Sequence, residues 1–180
     1  RFAGNSGGAV FLSPNSQNTP ALPEKEPKPI QLNVKVVKGT NLLKMDPIGK
    51  SDPYVILQLK GYPEDQLSRF KSTVIKNTLN PVWNEEKVFM CKDWNTDVIV
   101  LQMYDKDVRK DDKMMDSIDL PLNQFPLNKR VTWSEDIQRK NKPAGHLDIE
   151  FEAIDLLDQP KIEKRDIIID EGVCDFTLGS

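Results

Sequence analysis

The feature that most constrains this chain is a series of short apolar runs separated by turn-forming residues. The run Gln31–Val37 alternates apolar and polar residues with a period of two, which is typical of a strand with one buried face. Similar runs follow at 53–59, 70–76, 84–90, 98–104, 115–120, 130–134 and 146–153. Turn signals separate the runs, and no long helical pattern interrupts them. Among these signals are Gly61–Pro63, Asn77–Pro81, Asn95–Asp97 and Asn141–Gly145. The sequence therefore predicts an all-β fold, an antiparallel β-sandwich of eight strands.

Composition narrows the class of protein. At 180 residues, with 29% charged and 38% hydrophobic residues, the chain suits one well-buried domain with additional tails. A net charge of −3 argues against a nucleic-acid partner. No apolar run is long enough to cross a bilayer, so any membrane contact is expected to be peripheral. Two isolated cysteines favour a reducing, intracellular compartment over a disulfide scaffold.

Changes in residue composition along the sequence divide the chain into three parts. Residues 1–29 combine a Gly/Ser/Asn stretch with a Pro-rich stretch, which predicts a flexible or extended segment and linker. Residues 30–155 hold the strand-like runs and are expected to form the sandwich. Residues 156–180 form a C-terminal extension, in which Asp166–Asp170 is either an edge strand or a segment that docks on a partner. Because the chain begins at Arg1 without Met, we expect it to be part of a longer protein.

Two pairs of aspartates follow predicted strands. Asp46 and Asp52 follow the first run, and Asp105 and Asp107 follow the run at 98–104. Two acidic loops at the same end of a sandwich would bring these carboxylates together, and converging carboxylates repel unless a cation lies between them. A hard divalent ion accepts 6–8 oxygen ligands, so calcium is the predicted cofactor. The alternative for any single Asp-x-Asp is an ordinary solvated turn.

Three motifs extend this interpretation. They are Asn41–Val55 (NLLKMDPIGKSDPYV), Asn77–Glu85 (NTLNPVWNE) and Met103–Asp107 (MYDKD). Together, and in this order, they resemble the first calcium loop, a strand-connecting turn and the third loop of a C2 domain. The resemblance covers about residues 30–155. It implies an eight-stranded Greek-key β-sandwich in the circularly permuted C2 topology.

The resemblance also implies a set of metal ligands. The family's calcium ligands fall on Asp46, Asp52, Asp105 and Asp107, with one more Asp expected eight residues after Asp105. That position is Lys113, so a loop shortened by one residue would offer Asp112 instead, with Asp111 as its neighbour. The glycine expected shortly afterwards is replaced by Met115.

Basic and apolar residues near these loops suggest how a membrane would be bound. Arg69 and Lys71 share one face of a predicted strand, where phosphoinositide-binding C2 domains carry a concave headgroup site; the alternative is an ordinary solvated strand face. Ile48 and Val108 lie at predicted loop tips and could enter the headgroup layer. The basic residues beside the tips, which would favour anionic lipid, are Lys50, Arg109 and Lys110.

These observations predict a cytoplasmic module that binds calcium and is then recruited peripherally to anionic membranes, with phosphatidylserine or a phosphoinositide as the lipid. A protein partner could bind through the terminal extensions. The alternative is a calcium-independent, C2-like scaffold for protein interactions. Catalysis is not expected, since one histidine and two scattered cysteines supply no evident nucleophile and base.

Overall fold

A computed structural model describes residues 25–45 and 48–158 of the chain. The described residues form nine β-strands and one short 3-10 turn, Leu122–Gln124. The strands are β1 (Ile30–Thr40), β2 (Pro53–Leu59), β3 (Arg69–Lys71), β4 (Val82–Cys91), β5 (Val98–Asp105), β6 (Asp112–Lys113), β7 (Ile118–Pro121), β8 (Arg130–Arg139) and β9 (Lys142–Asp155). The predicted all-β class is confirmed. The expectations for residues 1–24 and 159–180 lie outside the described residues.

The strands form two antiparallel sheets that face each other. The first sheet has the order β4-β1-β9-β8. In the second sheet β3, β2 and β5 are consecutive, and β6 and β7 both pair with β5. The predicted antiparallel sandwich is therefore confirmed, whereas the circularly permuted topology stays a prediction.

The alternating sequence pattern matches the burial pattern of the strands. In β1 the residues Ile30, Leu32, Val34 and Val36 are buried, while the residues between them are only partly covered. The inward residues of both sheets form one core that contains Phe89 and Phe151 without any exposed surface. Burying a side chain of this size stabilises a fold by about 1.5–3 kcal/mol. A strand whose apolar residues alternate can bury all of them on one face, so the alternating pattern favours two sheets packed face to face.

Two predicted strands differ in detail from the observed ones. The run predicted at 70–76 contributes only the three residues of β3. Beyond Lys71 the Val55 amide does not pair with a backbone carbonyl of this segment. It donates instead to the hydroxyl of the buried Ser72 at 2.9 Å. The run predicted at 115–120 yields β7 from Ile118, and Met115 is buried in the core before it. Met115 thus has a packing role where the family pattern has glycine.

The β8–β9 hairpin is longer than the sequence predicted. Its connection consists of Lys140 and Asn141, which have φ values of 51° and 59°. Positive φ at both central residues is the mark of a type I′ turn, whose twist matches that of the flanking strands. Gly145, which we assigned to the turn, lies within β9 instead, with φ of 116°.

The first and last strands bring the two ends of the sandwich sequence together. Ile30 lies opposite Asp155 in the β1–β9 ladder. Lys28 forms an ion pair with Asp155 at 2.7 Å, and the amide of Leu156 donates to the carbonyl oxygen of Pro29. Because β1 runs away from this point towards residue 40, these contacts lie at the end of the sandwich opposite the β1–β2 connection.

Candidate metal centre and membrane face

Three connections leave the sandwich at one end and contact each other. They are loop 1 (41–52), loop 2 (72–81) and loop 3 (106–111), which follow β1, β3 and β5. Loop 2 is joined to loop 1 by a hydrogen bond from the Thr78 amide to the Ser51 carbonyl oxygen at 2.9 Å. Loop 3 is joined to loop 1 by the Lys106 amide, which donates to the Asp52 carbonyl oxygen at 3.0 Å. The convergence expected from the sequence is therefore present in the fold.

Asp52 connects all three loops. Its amide donates to Asp105 Oδ1 at 2.6 Å, and its own Oδ1 accepts a hydrogen bond from the Asn77 amide at 2.7 Å. Asp105 is completely buried at the end of β5. A buried carboxylate is costly unless it is compensated, so this position is one where the fold accepts concentrated negative charge.

The acidic residues of loop 3 and the start of β6 divide into two groups. Asp112 lies directly opposite Asp105 in the β5–β6 ladder, and residues that face each other in this way project to the same side of the sheet. Asp111 instead accepts hydrogen bonds from the Tyr54 hydroxyl at 2.6 Å and from Lys106 Nζ at 2.8 Å. These two donors, Lys106 foremost, lower the pKa of Asp111 to about 2. Asp107 is partly buried next to this group.

The remaining predicted ligand, Asp46, lies outside the described residues. The segment that carries it is closed by Ser51, whose buried hydroxyl accepts a hydrogen bond from the Met45 amide at 2.9 Å and donates to the Leu43 carbonyl oxygen at 3.2 Å. Within residues 25–45 and 48–158, no three ligand-type side chains form a group that could hold a metal ion. The described residues among the predicted ligands, Asp52, Asp105, Asp107 and Asp112, carry carboxylate oxygens, the ligand type that calcium prefers, so the chemistry of this donor set fits that ion.

The predicted basic positions lie together on the outer face of the second sheet. Arg69 is opposite Gln58 and Lys71 is opposite Ile56, so both project away from the core. Arg69 forms an ion pair with Glu64 at 2.7 Å. Lys71 Nζ lies 4.0 Å from the centroid of the Tyr54 ring, a cation–π contact. The face therefore carries positive charge that is partly paired within the domain.

The predicted loop tips are highly exposed. Ile48 in loop 1 retains 90% of its accessible surface, and Val108 in loop 3 retains 105%. The three basic residues beside them, Lys50, Arg109 and Lys110, are also exposed. Each of the two tips thus combines an exposed aliphatic side chain with basic residues one or two positions further along the chain.

Sequence reasoning missed a polar cluster around the single histidine. His146 Nδ1 is 2.8 Å from Asp136 Oδ1, and His146 Nε2 is 2.9 Å from Ser134 Oγ. These contacts resemble a Ser-His-Asp triad, but Ser134 Oγ is also 2.5 Å from Asp148 Oδ1. Because a carboxylate only accepts, the hydroxyl donates to Asp148, and Nε2 must then donate to the hydroxyl. A nitrogen that already carries a proton cannot activate Ser134, so the cluster indicates an ion pair rather than a nucleophile.

This ion pair predicts a pH dependence. The hydrogen bond to Asp136 raises the pKa of His146 above its ordinary value of about 6.5. Its stabilising effect should be complete below about pH 6.5 and should disappear as the pH rises through the folded-state pKa. A proton NMR titration of the one imidazole should therefore have its midpoint above that ordinary value, and Asp136→Asn should lower that midpoint. An unchanged midpoint in the variant would contradict this assignment.

Comparison with known proteins identifies the family of this loop-and-sheet arrangement. The family model for the C2 domain matches residues 30–137. The chain belongs to the C2 domain family. Among curated proteins, Synaptotagmin-4 of Arabidopsis thaliana is 34% identical over 134 residues, which cover 70% of this chain and 23% of that protein. A Calcium-dependent lipid-binding protein of Arabidopsis thaliana is 36% identical over 95 residues, which cover 53% of this chain and 18% of the relative.

A solved C2 domain has the same fold. One C2 domain of plant extended synaptotagmin 1 aligns with a TM-score of 0.63 at 30% identity, over 73% of this chain and 98% of that domain. The alignment with each curated relative spans less than a quarter of that relative. No helix within the described part of this C2 chain has the length and apolar character needed to cross a bilayer.

Proposed function

We propose that this C2 domain binds calcium at its loop end and then docks on anionic phospholipid, which targets a larger protein to membranes. The observation that carries the proposal is the contact between loop 1 and the end of β5, in which the Asp52 amide binds the fully buried carboxylate of Asp105 at 2.6 Å. This contact joins two acidic segments at the loop end of the sandwich.

Five carboxylates would hold the metal. They are Asp46, Asp52, Asp105, Asp107 and Asp112. The hydrogen bonds around Asp52 fix the relative positions of loops 1, 2 and 3, so a cation would meet pre-oriented oxygens. When bound, calcium supplies positive charge and coordination positions that phosphate oxygens can complete. Backbone carbonyls, waters and lipid phosphate oxygens would complete the 6–8 oxygens of a calcium shell, so we expect calcium and membrane to bind cooperatively.

The lipid contact has two parts. The tips carry Ile48 and Val108 for the headgroup layer, and Lys50, Arg109 and Lys110 each contribute about 1 kcal/mol of attraction to an anionic surface. The outer face with Arg69 and Lys71 offers a second position for an anionic headgroup. Phosphatidylserine at the loops and a phosphoinositide on the sheet face are the corresponding ligands.

The relatives support the same function. One of them is described as a calcium-dependent lipid-binding protein, and another as a synaptotagmin. With only two cysteines in the whole chain, and Cys91 buried as a free thiol, the domain suits the cytoplasm, from which it would be recruited peripherally. We assign it no catalytic role.

The test is co-sedimentation of the chain with phosphatidylserine vesicles, in calcium and in chelator. We expect the protein to pellet only in calcium, and to stay in solution with phosphatidylcholine vesicles under both conditions. Equal pelleting in calcium and chelator would reject the calcium switch and favour the basic face around Arg69 and Lys71. Absence of pelleting in both would reject the membrane function.

A calcium-independent protein scaffold is the second candidate, and one surface favours it. β4 is an edge strand whose outward residues Val88 and Met90 are 50% and 57% exposed. With Leu67, which is 78% exposed, they line a groove of about 310 Å³. An exposed apolar groove beside an edge strand is suited to a protein partner. Loss of a partner on Val88→Lys, with vesicle binding unchanged, would support this second function.

A further inference from the structure

A line of contacts runs from the basic sheet face to loop 3 through Tyr54. The Lys71 ammonium lies 4.0 Å from the centroid of the Tyr54 ring, which stacks on Tyr104 with centroids 5.7 Å apart. Only 4% of the Tyr54 surface is exposed. Its hydroxyl donates to Asp111 Oδ2 at 2.6 Å. The ring is thus fixed on two sides, and the direction of its hydroxyl is fixed with it.

The other oxygen of Asp111 holds loop 3 itself. Asp111 Oδ1 accepts a hydrogen bond from Lys106 Nζ at 2.8 Å and one from the backbone amide of Asp107 at 3.2 Å. Asp107 is a proposed metal ligand, and Lys106 lies between it and Asp105. One carboxylate therefore ties the backbone of a proposed ligand to a side chain anchored in strand β2.

We infer that Asp111 is a positioning residue for the calcium site, with the buried Tyr54 hydroxyl as its anchor in the sheet. This inference rests on the function proposed above and assigns roles within loop 3. Asp111 orients the loop through the Asp107 amide. We do not assign it as a ligand, because the Lys106 ammonium that lies 2.8 Å from its Oδ1 would repel a cation at the same carboxylate. Asp112, opposite the buried Asp105, is the residue left to face the metal.

The chain contains a matched control for the anchor. Tyr62 donates its hydroxyl to Asp97 Oδ2 at 2.7 Å, with Lys92 Nζ 4.8 Å from its ring centroid. This Tyr-Asp-Lys set is built like that of Tyr54, but it lies at the end of the sandwich away from the three loops. Tyr54→Phe and Tyr62→Phe each remove a hydroxyl that donates to an aspartate, and the Tyr62 hydroxyl also accepts the Lys92 amide at 2.8 Å. Only Tyr54→Phe should affect calcium.

The first measurement is calcium affinity by isothermal titration calorimetry in the absence of lipid, with the thermal midpoint of each variant recorded alongside. We expect Tyr54→Phe to weaken calcium binding by about tenfold, a typical loss when a group that orients a metal ligand is removed. Tyr62→Phe should bind calcium as the wild type does, although it removes both the bond that its hydroxyl donates to Asp97 and the bond that it accepts from the Lys92 amide. Equal affinity of Tyr54→Phe and Tyr62→Phe would overturn the inference.

A second readout needs no metal. Amide hydrogen exchange in residues 106–111 of the calcium-free protein should be faster in Tyr54→Phe than in Tyr62→Phe, because loop 3 loses its anchor. Asp111→Asn should show the same two effects, and the double variant Tyr54→Phe/Asp111→Asn should bind calcium no worse than the weaker-binding single variant. Additive losses in the double variant would show that the two residues act independently and would reject the shared role.

Failure of this inference can be distinguished from failure of the proposed function. If the wild-type chain binds calcium and all variants bind equally, only the positioning role is wrong. If the wild-type chain gives no calcium isotherm, the metal site and the role of Asp111 are rejected together.

Discussion

The double substitution Asp46→Asn/Asp105→Asn should abolish calcium-dependent pelleting with phosphatidylserine vesicles and leave the sandwich folded. The change removes one carboxylate charge from each acidic segment, and calcium affinity depends steeply on the number of charged ligands. We expect calcium affinity to fall by roughly a hundredfold or more. An Asn at position 105 keeps a carbonyl oxygen that can accept the Asp52 amide hydrogen bond, so the contact between loop 1 and the end of β5 should persist.

The matched control is Asp119→Asn/Asp158→Asn, which alters the net charge equally at two exposed positions outside the three loops. This control should pellet like the wild type in calcium. Circular dichroism should give the same β-sheet spectrum for all three proteins. Calcium-dependent pelleting that persists in Asp46→Asn/Asp105→Asn would show that the acidic loops do not carry the switch.

Gly145→Ala should destabilise the domain more than any other glycine-to-alanine change in the described residues. A Cβ at this position would lie 2.8 Å from the Asn41 carbonyl oxygen and 2.9 Å from Leu42 Cα, and both are backbone atoms that cannot rotate away. The φ of 116° adds strain for any L-residue with a side chain. We expect unfolding free energy to fall by about 3 kcal/mol or more, measured by urea denaturation. The thermal midpoint should fall by about 10 °C.

Gly61→Ala separates backbone strain from collision. Gly61 also has a positive φ, 80°, but a Cβ there would have no neighbour within 4 Å. Its substitution should lower the unfolding free energy by only about 1–2 kcal/mol, the cost of a left-handed conformation. If Gly145→Ala were no more costly than Gly61→Ala, the close approach of β9 to the start of loop 1 would not matter for stability.

The strands were largely predictable because burial imposes a period of two on the sequence. The run Gln31–Val37 lies within β1 with the expected face inward. The details that escaped prediction arise from contacts between distant segments. Gly145 suggested a turn, but it lies within a strand. Glycine occupies this strand position because the backbone of residues 40–42 passes too close to leave room for a side chain. The turn itself consists of Lys140 and Asn141, both with positive φ. Lysine rarely adopts this left-handed conformation, so its presence in the sequence did not indicate the turn.

Within the candidate site, the contact between the two acidic segments was predictable from the sequence. Acidic pairs after two strands indicated that Asp52 and Asp105 would meet, and the two residues do contact each other. The distinction between Asp111 and Asp112 was not visible in the sequence, where they are simply adjacent. It depends on the Tyr54 hydroxyl, which is 57 positions away from Asp111 and reaches it only because β2 pairs with β5.

Because Ile30 pairs with Asp155, the first and last strands of the domain begin and end next to each other. The start of β1 and the end of β9 are held together by the Lys28–Asp155 ion pair, at the end of the sandwich opposite loops 1, 2 and 3. In the proposed membrane-bound orientation, residues 25–29 and 156–158 would therefore both leave the domain on the side away from the bilayer. A dye attached at residue 25 should thus lie farther from labelled lipid headgroups than a dye placed at position 108.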